Sequence, residues 1–333
     1  MENLSRFKKV FNFEGVDRLP VIEWATWWDK TIERWRREGL PDSVVSVTDI
    51  MKYFGLDVHK QFWLSARGRT CPAPPAYGKG ILKRMDMDSY FDIKKHMYHD
   101  IEGNVIEEAE RWAEKQKNGE AFIWITLDGF FWHPRNVMGI EEHLYAFYDH
   151  PELMHSMNKD LAEFNIRALD EFCKICIPDF MTFAEDMSYN NGPMISKSIF
   201  DEFIAPYYNK IIPRLKEYGI PVIVDSDGDI TNMITWFENV GVNGFLPLEK
   251  RAGIDVVEIR KNHPKLRMIG GFDKTVMHLG ENAMREEFER LLPVMKQGGF
   301  IPSCDHQTPP DVSIENYRTY IKLLREYCEG AMR

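Results

Sequence analysis

The sequence predicts a single (β/α)8 barrel, a parallel sheet closed on itself and wrapped by helices. Three observations carry that expectation. Short apolar runs alternate with helix-patterned stretches of roughly ten to twenty-five residues, the strand–helix repetition of parallel sheets. Five of the runs end in a carboxylate. Phe180–Phe183 precedes Glu185 and Asp186, Val222–Val224 precedes Asp225 and Asp227, and Phe245–Leu248 precedes Glu249; Met268–Phe272 precedes Asp273, and Phe300–Ile301 precedes Asp305 and His306. In a closed parallel barrel the C-terminal strand ends converge on one mouth where chemistry is done, so these acids and one histidine are expected around a single pocket. Finally, no linker, low-complexity tract or short-period repeat divides the 333 residues, a length that suits one barrel with insertions.

Taken in order, Leu19–Glu23 reads as a short buried strand. The stretch from Trp27-Trp28 to Glu38 is helical in pattern and stops at Gly39 with Pro41 beyond. A second short helix is expected over 42–55. Residues 68–105, with Cys71-Pro72-Ala73-Pro74-Pro75 and then turn-rich sequence, are read as a β-hairpin insertion covering one end of the barrel. Residues 106–118 are helical and charged, and Phe122–Leu127 is a strand running into Asp128-Gly129-Phe130-Phe131-Trp132-His133. Helices at about 140–148 and 151–175 lead to the Phe180 strand. The second half is regular: helix 197–218, strand 221–225, helix 230–239, strand 244–248, helix 253–262, strand 266–271, helix 281–296, strand 299–302 and helix 313–329.

Composition narrows the function. With Lys plus Arg 42 against Asp plus Glu 52, the formal charge of −10 argues against nucleic acid or an anionic membrane as partner. No apolar run is long enough for a transmembrane helix, and the N-terminus lacks the apolar core of a signal peptide. Five cysteines in a chain of this size read as reduced thiols, so a cytoplasmic protein is expected. Cys173-Lys174-Ile175-Cys176 closes a helix with no second pair nearby and is not read as a metal site.

Several ordered segments carry a family likeness. Asp17-Arg18-Leu19-Pro20-Val21, Gly270-Gly271-Phe272-Asp273, and Gly298-Gly299-Phe300-Ile301-Pro302-Ser303-Cys304-Asp305-His306 with Pro309-Pro310 and Glu315-Asn316 together resemble the uroporphyrinogen decarboxylase superfamily. That superfamily also holds zinc- and corrinoid-dependent methyltransferases, and the resemblance spans nearly the whole chain. It implies the barrel, with an N-terminal insertion and the site at the C-terminal mouth. Decarboxylation of an octacarboxylate tetrapyrrole is disfavoured: the N-terminal arginine-bearing loop of that branch is missing, and anionic substrate against unpaired acids is repelled. The thiol-methylating branch holds zinc through a His-x-Cys pair after a middle strand and a Cys after the last. Here the pair is Asp225-Ser226-Asp227, with Cys304, Asp305 or His306 at the last position.

The resemblance implies a corrinoid-dependent methyltransferase taking a methyl group from a small methylated compound such as an aromatic methyl ether. Asp225, Glu249 and His306 would form an open zinc site or acid/base set, with Asp227 and Cys304 as alternative ligands and Asp186 as a further catalytic acid. By the same resemblance cobalamin would arrive on a separate corrinoid protein, and the chain would form a homodimer. Trp27, Trp28, Phe131 and Trp132 would wall the substrate, and Asp128, Glu185 and Asp273 would hold its polar groups. Bland readings stand beside these: Asp227 as a helix cap, Glu185 in a buried ion pair, Glu249 and Asp273 in local salt bridges, and the aromatic run before His133 as core. The competing functions are a metal-independent decarboxylase or lyase using an Asp to handle the proton, and a non-catalytic small-molecule binding protein.

Overall fold

The computed structural model describes residues 1–332. Seven parallel strands form one curled sheet in chain order: β1 His59–Leu64, β2 Phe122–Asp128, β3 Phe180–Ala184, β4 Val222–Asp225, β5 Gly244–Leu246, β6 Arg267–Phe272 and β7 Phe300–Cys304. Every strand pairs with its successor, for example Trp124 with Phe180, Met181 with Val222 and Met268 with Phe300. Helices in each crossover cover the outer face, and so β2 to β7 are buried almost throughout, whereas β1 at the sheet edge has Lys60 and Gln61 half-buried and Trp63 exposed.

The expected first strand is extended but forms no regular ladder. Its polar groups are taken elsewhere: Val21 N donates to Asp57 Oδ2 at 3.0 Å, Val21 O accepts from Asp57 N at 2.8 Å, and Trp24 N donates to Ser303 Oγ at 3.2 Å. The segment nevertheless touches both edges of the sheet. The Glu23 carbonyl meets His59 Nε2 of β1 at 2.9 Å, and the Glu23 carboxylate takes Ser303 Oγ and Cys304 N of β7 at 3.0 and 3.1 Å.

The hairpin expected at 68–105 is not there. This segment contains turns, isolated bridges such as Arg67 with Met97, and one helix, Met87–Lys94, whose N-terminus is capped by Asp86 accepting from Ser89 N. Prolines 72, 74 and 75 remove the donors a ladder needs. The predicted helix at 197–218 is two, Lys197–Phe203 and Ala205–Glu217, divided just before Pro206, which is tolerated only in the first turn of the second.

The end of the sheet opposite the mouth is sealed. Helix Asn3–Phe11 buries Phe7, Val10 and Phe11 on one face, and the Phe7 ring stacks on Phe122 at 4.2 Å and Phe180 at 5.3 Å, the first residues of β2 and β3. Ring pairs of this kind add about 0.5–1.5 kcal/mol each beyond their buried area. Gly270 explains one glycine of the family-like motif: its φ is +105°, and a Cβ there would lie 2.2 Å from the Pro247 carbonyl. The close approach is to the neighbouring chain segment, not to a ligand.

Candidate functional site

At the C-terminal ends of the strands lies a cavity of about 360 Å³. Its walls are Trp24, Trp63 and Trp132, and its acids are Asp186, Asp225 and Asp227, with His306 and Gln307 on the side of β7. A volume near the lower end of ligand sites suits a small molecule. Strand geometry assembles it. Asp225 ends β4, Asp186 follows β3 by two residues, and His306 follows β7 by two, so their side chains converge although they lie far apart in sequence.

The acids differ in how they are held. Asp186 sits in the left-handed region at φ +45°, a cost offset by Arg135, which donates to its carbonyl at 2.8 Å and its carboxylate at 2.7 Å. The same guanidinium lies 4.5 Å over the Trp132 ring. Asp225 has no side-chain hydrogen bond among the described residues; burial first, then the Asp227 and Asp186 charges, push its carboxyl well above the usual range. Asp227 faces His306 Nε2 at 3.8 Å. Burial, and then Glu249 and Asp186, raise it to about 7. His306 is held below its ordinary value, by burial and then by Lys274, so it is neutral near pH 7.

Beyond the cavity acids lies a lysine that sequence reading passed over. Lys274 Nζ stands 3.3 Å from both Glu249 Oε1 and Asp305 Oδ1. The other Glu249 oxygen takes Gly228 N at 3.0 Å. Asp305, buried, is pushed up to about 6 by burial, with Lys274 opposing. Glu249 is therefore engaged by an ammonium and a backbone amide rather than turned toward Asp225 and His306. Among the described residues no three His, Cys, Asp or Glu side chains are grouped to hold a metal. The predicted zinc set Asp225, Glu249 and His306 is not assembled, because Lys274 already supplies the cation that Glu249 faces. Cys304 is no substitute: it is wholly buried within β7, and burial, then Glu23, raise its thiol well above the ordinary value.

Other predicted residues have structural work. Glu185 is fully buried, accepting from Phe130 N at 3.0 Å, Phe131 N at 2.7 Å and Tyr208 Oη at 2.6 Å. This carboxylate occupies the start of helix Trp132–Met138. Gly129 makes room for it, since a Cβ there would meet the carboxyl at 2.3 Å. Asp128 accepts from Trp63 Nε1 at 2.8 Å, Ser65 Oγ at 3.1 Å and Ala66 N at 2.8 Å. Burial raises its carboxyl, but His133 and these donors outweigh that and leave it below the ordinary value. Asp273 accepts from Thr275 N and Oγ1 and pairs with Arg251 at 3.1 Å. Trp27 packs in the core against Trp35 and Tyr317, Phe131 packs on His143, and Trp28 is exposed at a helix start. None of these lines the cavity.

Sequence reasoning missed Trp24, Trp63, Gln61, Arg135 and Lys274. Trp24 directly follows the Glu23 strand end and Lys274 directly follows Asp273, so the strand-end rule could have found both. Trp63 is interior to β1, and its signal is only an aromatic residue at an edge strand. Glu23 was read as a strand end but not as a special group. It is buried with one oxygen, Oε2, lacking any partner among the described residues, and burial raises it to about 7.

An open mouth on a curled parallel sheet, lined by strand-end acids, is the arrangement of α/β enzymes with their site at the C-terminal edge. The particular family follows from sequence. The model described as uroporphyrinogen decarboxylase (URO-D) matches residues 74–327, and the chain belongs to that family. It is 26% identical over 265 residues to uroporphyrinogen decarboxylase of Campylobacter jejuni, covering 76% of this chain and 72% of that one. Against the Pseudomonas fluorescens enzyme it is 25% identical over 185 residues, which is 54% of this chain and half the length of that relative. In three dimensions it is similar to a methyltransferase from Methanosarcina mazei, with a TM-score of 0.66, 12% identity, and 98% and 99% of the two chains covered. That likeness concerns the fold.

Proposed function

We propose that the protein is a methyltransferase of the uroporphyrinogen decarboxylase family, moving a methyl group from a small methylated substrate to an acceptor carried by a separate corrinoid protein. One observation carries the reading. The cavity is small, tryptophan-walled and lined by Asp225 and Asp227 with no lysine or arginine among its lining residues. An octacarboxylate would meet repulsion there and find no counter-charge. The full-length fold similarity to a methyltransferase supports the same choice. A reduced corrinoid supplies a strong nucleophile for a methyl carbon; this chain's residues hold the donor. Trp24, Trp63 and Trp132 exclude water, Arg135 fixes Asp186, and Asp227 holds a proton near neutrality that it can pass to a leaving oxygen. An aromatic methyl ether would draw on that proton, whereas a donor that leaves as a neutral amine would not. Zinc enters no step, since the ligand set is not assembled.

A second reading is a metal-independent decarboxylase on a small substrate. The proton held by Asp227 is its supporting observation, together with the decarboxylases among the sequence relatives. The test is incubation of the purified chain with methylated donors and added cob(I)alamin, following the visible spectrum for cobalt methylation. Turnover that is lost in Asp225→Asn supports the proposal. Release of carbon dioxide without methyl transfer, from any small carboxylate tried in parallel, would favour the second reading.

A further inference from the structure

We propose that the methyl donor is a quaternary ammonium compound, its methylated cation seated among Trp24, Trp63 and Trp132 and facing Asp225 and Asp227. The inference rests on the cavity being a methyl-donor site and adds the chemical class of that donor.

The walls point to it first. Trp24 Nε1 donates to the Cys304 carbonyl at 2.7 Å and Trp63 Nε1 to Asp128 Oδ1 at 2.8 Å. Both indole N–H groups are committed to the protein, so what these two residues offer the cavity is ring surface rather than a hydrogen-bond donor. A quaternary ammonium has no N–H to satisfy and is attracted by indole rings, the pairing used for choline-type ligands. The charge points the same way. Among the described residues Asp225 has no side-chain partner, Asp227 has the neutral His306 alone at 3.8 Å, and the nearby cations are spoken for. Arg135 is bound to Asp186, and Lys274 to Glu249 and Asp305. A neutral donor would leave both carboxyls uncompensated or protonated. The arrangement also does not suit a compact ion: the acids are not grouped as metal ligands, whereas a bulky cation with spread charge needs no convergent set of lone pairs.

The chemistry balances without help from the mouth. As the methyl carbon is attacked, the C–N bond breaks and its electron pair stays on nitrogen, leaving a neutral tertiary amine. The acceptor, a reduced corrinoid cobalt on the partner protein, supplies the electron pair of the new bond to carbon. No proton is needed at the leaving nitrogen, unlike an ether oxygen. Binding has a proton signature of its own. Asp227, with Asp225, Asp186, Glu249 and Asp305 as like charges, Lys274 as the opposing one and His306 beside it, holds a proton that an incoming cation displaces.

The test uses the full chain, tryptophan fluorescence and titration calorimetry with tetramethylammonium, choline, the neutral choline isostere 3,3-dimethylbutan-1-ol, and anisole. Expected are saturable binding of choline at least tenfold tighter than of the isostere, proton release shown by calorimetry in two buffers, and at least tenfold loss in Asp225→Asn with an unchanged circular dichroism spectrum. Isostere and choline binding equally would overturn the proposal. Anisole binding while both cations fail would overturn it too, yet keep the methyl-donor reading. Failure of all four to bind would sink that reading and this proposal together.

Discussion

The two flanks of the mouth carry the same sequence signal and put it to opposite uses. On the β2–β3 flank, Asp128 and Glu185 follow apolar runs but are saturated by protein donors, three or more apiece. On the β4–β7 flank, Asp225 and Asp227 follow apolar runs and face the cavity with almost no protein partner. Position at a strand end therefore selects acids near the mouth; the supply of donors from neighbouring loops decides which of them are structural. The Asp128-Gly129-Phe130-Phe131-Trp132 turn is what separates the flanks, because its backbone amides point at Glu185 and so claim it.

The comparison breaks most visibly at Glu185. Replacing it by Ala strands two buried amides and the Tyr208 hydroxyl, and leaving such groups unmade costs about 1–3 kcal/mol each. The expected loss is on the order of 3 kcal/mol or more in chemical denaturation. A loss below 1 kcal/mol would mean that the saturated flank is not structural. Asp225→Asn should do the reverse. Turnover is expected to fall by about 100-fold or more, the scale of losing one positioned charge or proton-transfer group, with stability unchanged or raised.

A smaller effect lies in pH. Asp227 has an ordinary value of 3.8 and stands at about 7 in the folded chain. A raised carboxyl favours the folded state fully below the unfolded value, and that contribution is lost as pH climbs through the folded one. The melting temperature should accordingly decline from about pH 4 to pH 7, and the decline should be shallower in Asp227→Asn. Asp305 and Glu23, raised to about 6 and about 7, keep some slope in the variant. Identical slopes in the two proteins would show that Asp227 carries no proton at neutrality.

What was legible in the sequence follows the same division. Alternation of apolar runs with helical stretches located six of the seven strands of the sheet, since strands buried on both faces read as continuous apolar segments; it missed the edge strand His59–Leu64, whose Lys60, Gln61 and exposed Trp63 break the apolar run. It also predicted regularity for Leu19–Glu23, where Asp57 and Ser303 side chains intercept the backbone, something no local pattern encodes. Of the residues proposed for the site, Asp186, Asp225, Asp227, Trp132 and His306 line one cavity. Glu249 was drawn toward a metal set because the sequence shows no sign that Lys274, 25 residues on, folds back against it. Trp27 and Trp28 were equivalent in sequence, yet helix Asp29–Arg37 turns Trp27 into the core and leaves Trp28 outside.

Asp273 gives the sharpest and smallest test, because it belongs by position to the open flank and by hydrogen bonding to the closed one. It follows β6, beside Lys274, but its carboxylate caps the short helix Lys274–Leu279 through Thr275 and pairs with Arg251. If donor supply rather than location decides an acid's role, Asp273→Ala should cost about 1 kcal/mol, the scale of a lost cap. Donor affinity should then change by less than twofold, measured on the same fluorescence titration as Asp225→Asn. A tenfold loss of affinity with stability intact would reverse the assignment and make location the rule. It would also draw Lys274 into the site, since the two residues are adjacent and the Lys274 charge acts on Asp227 and His306.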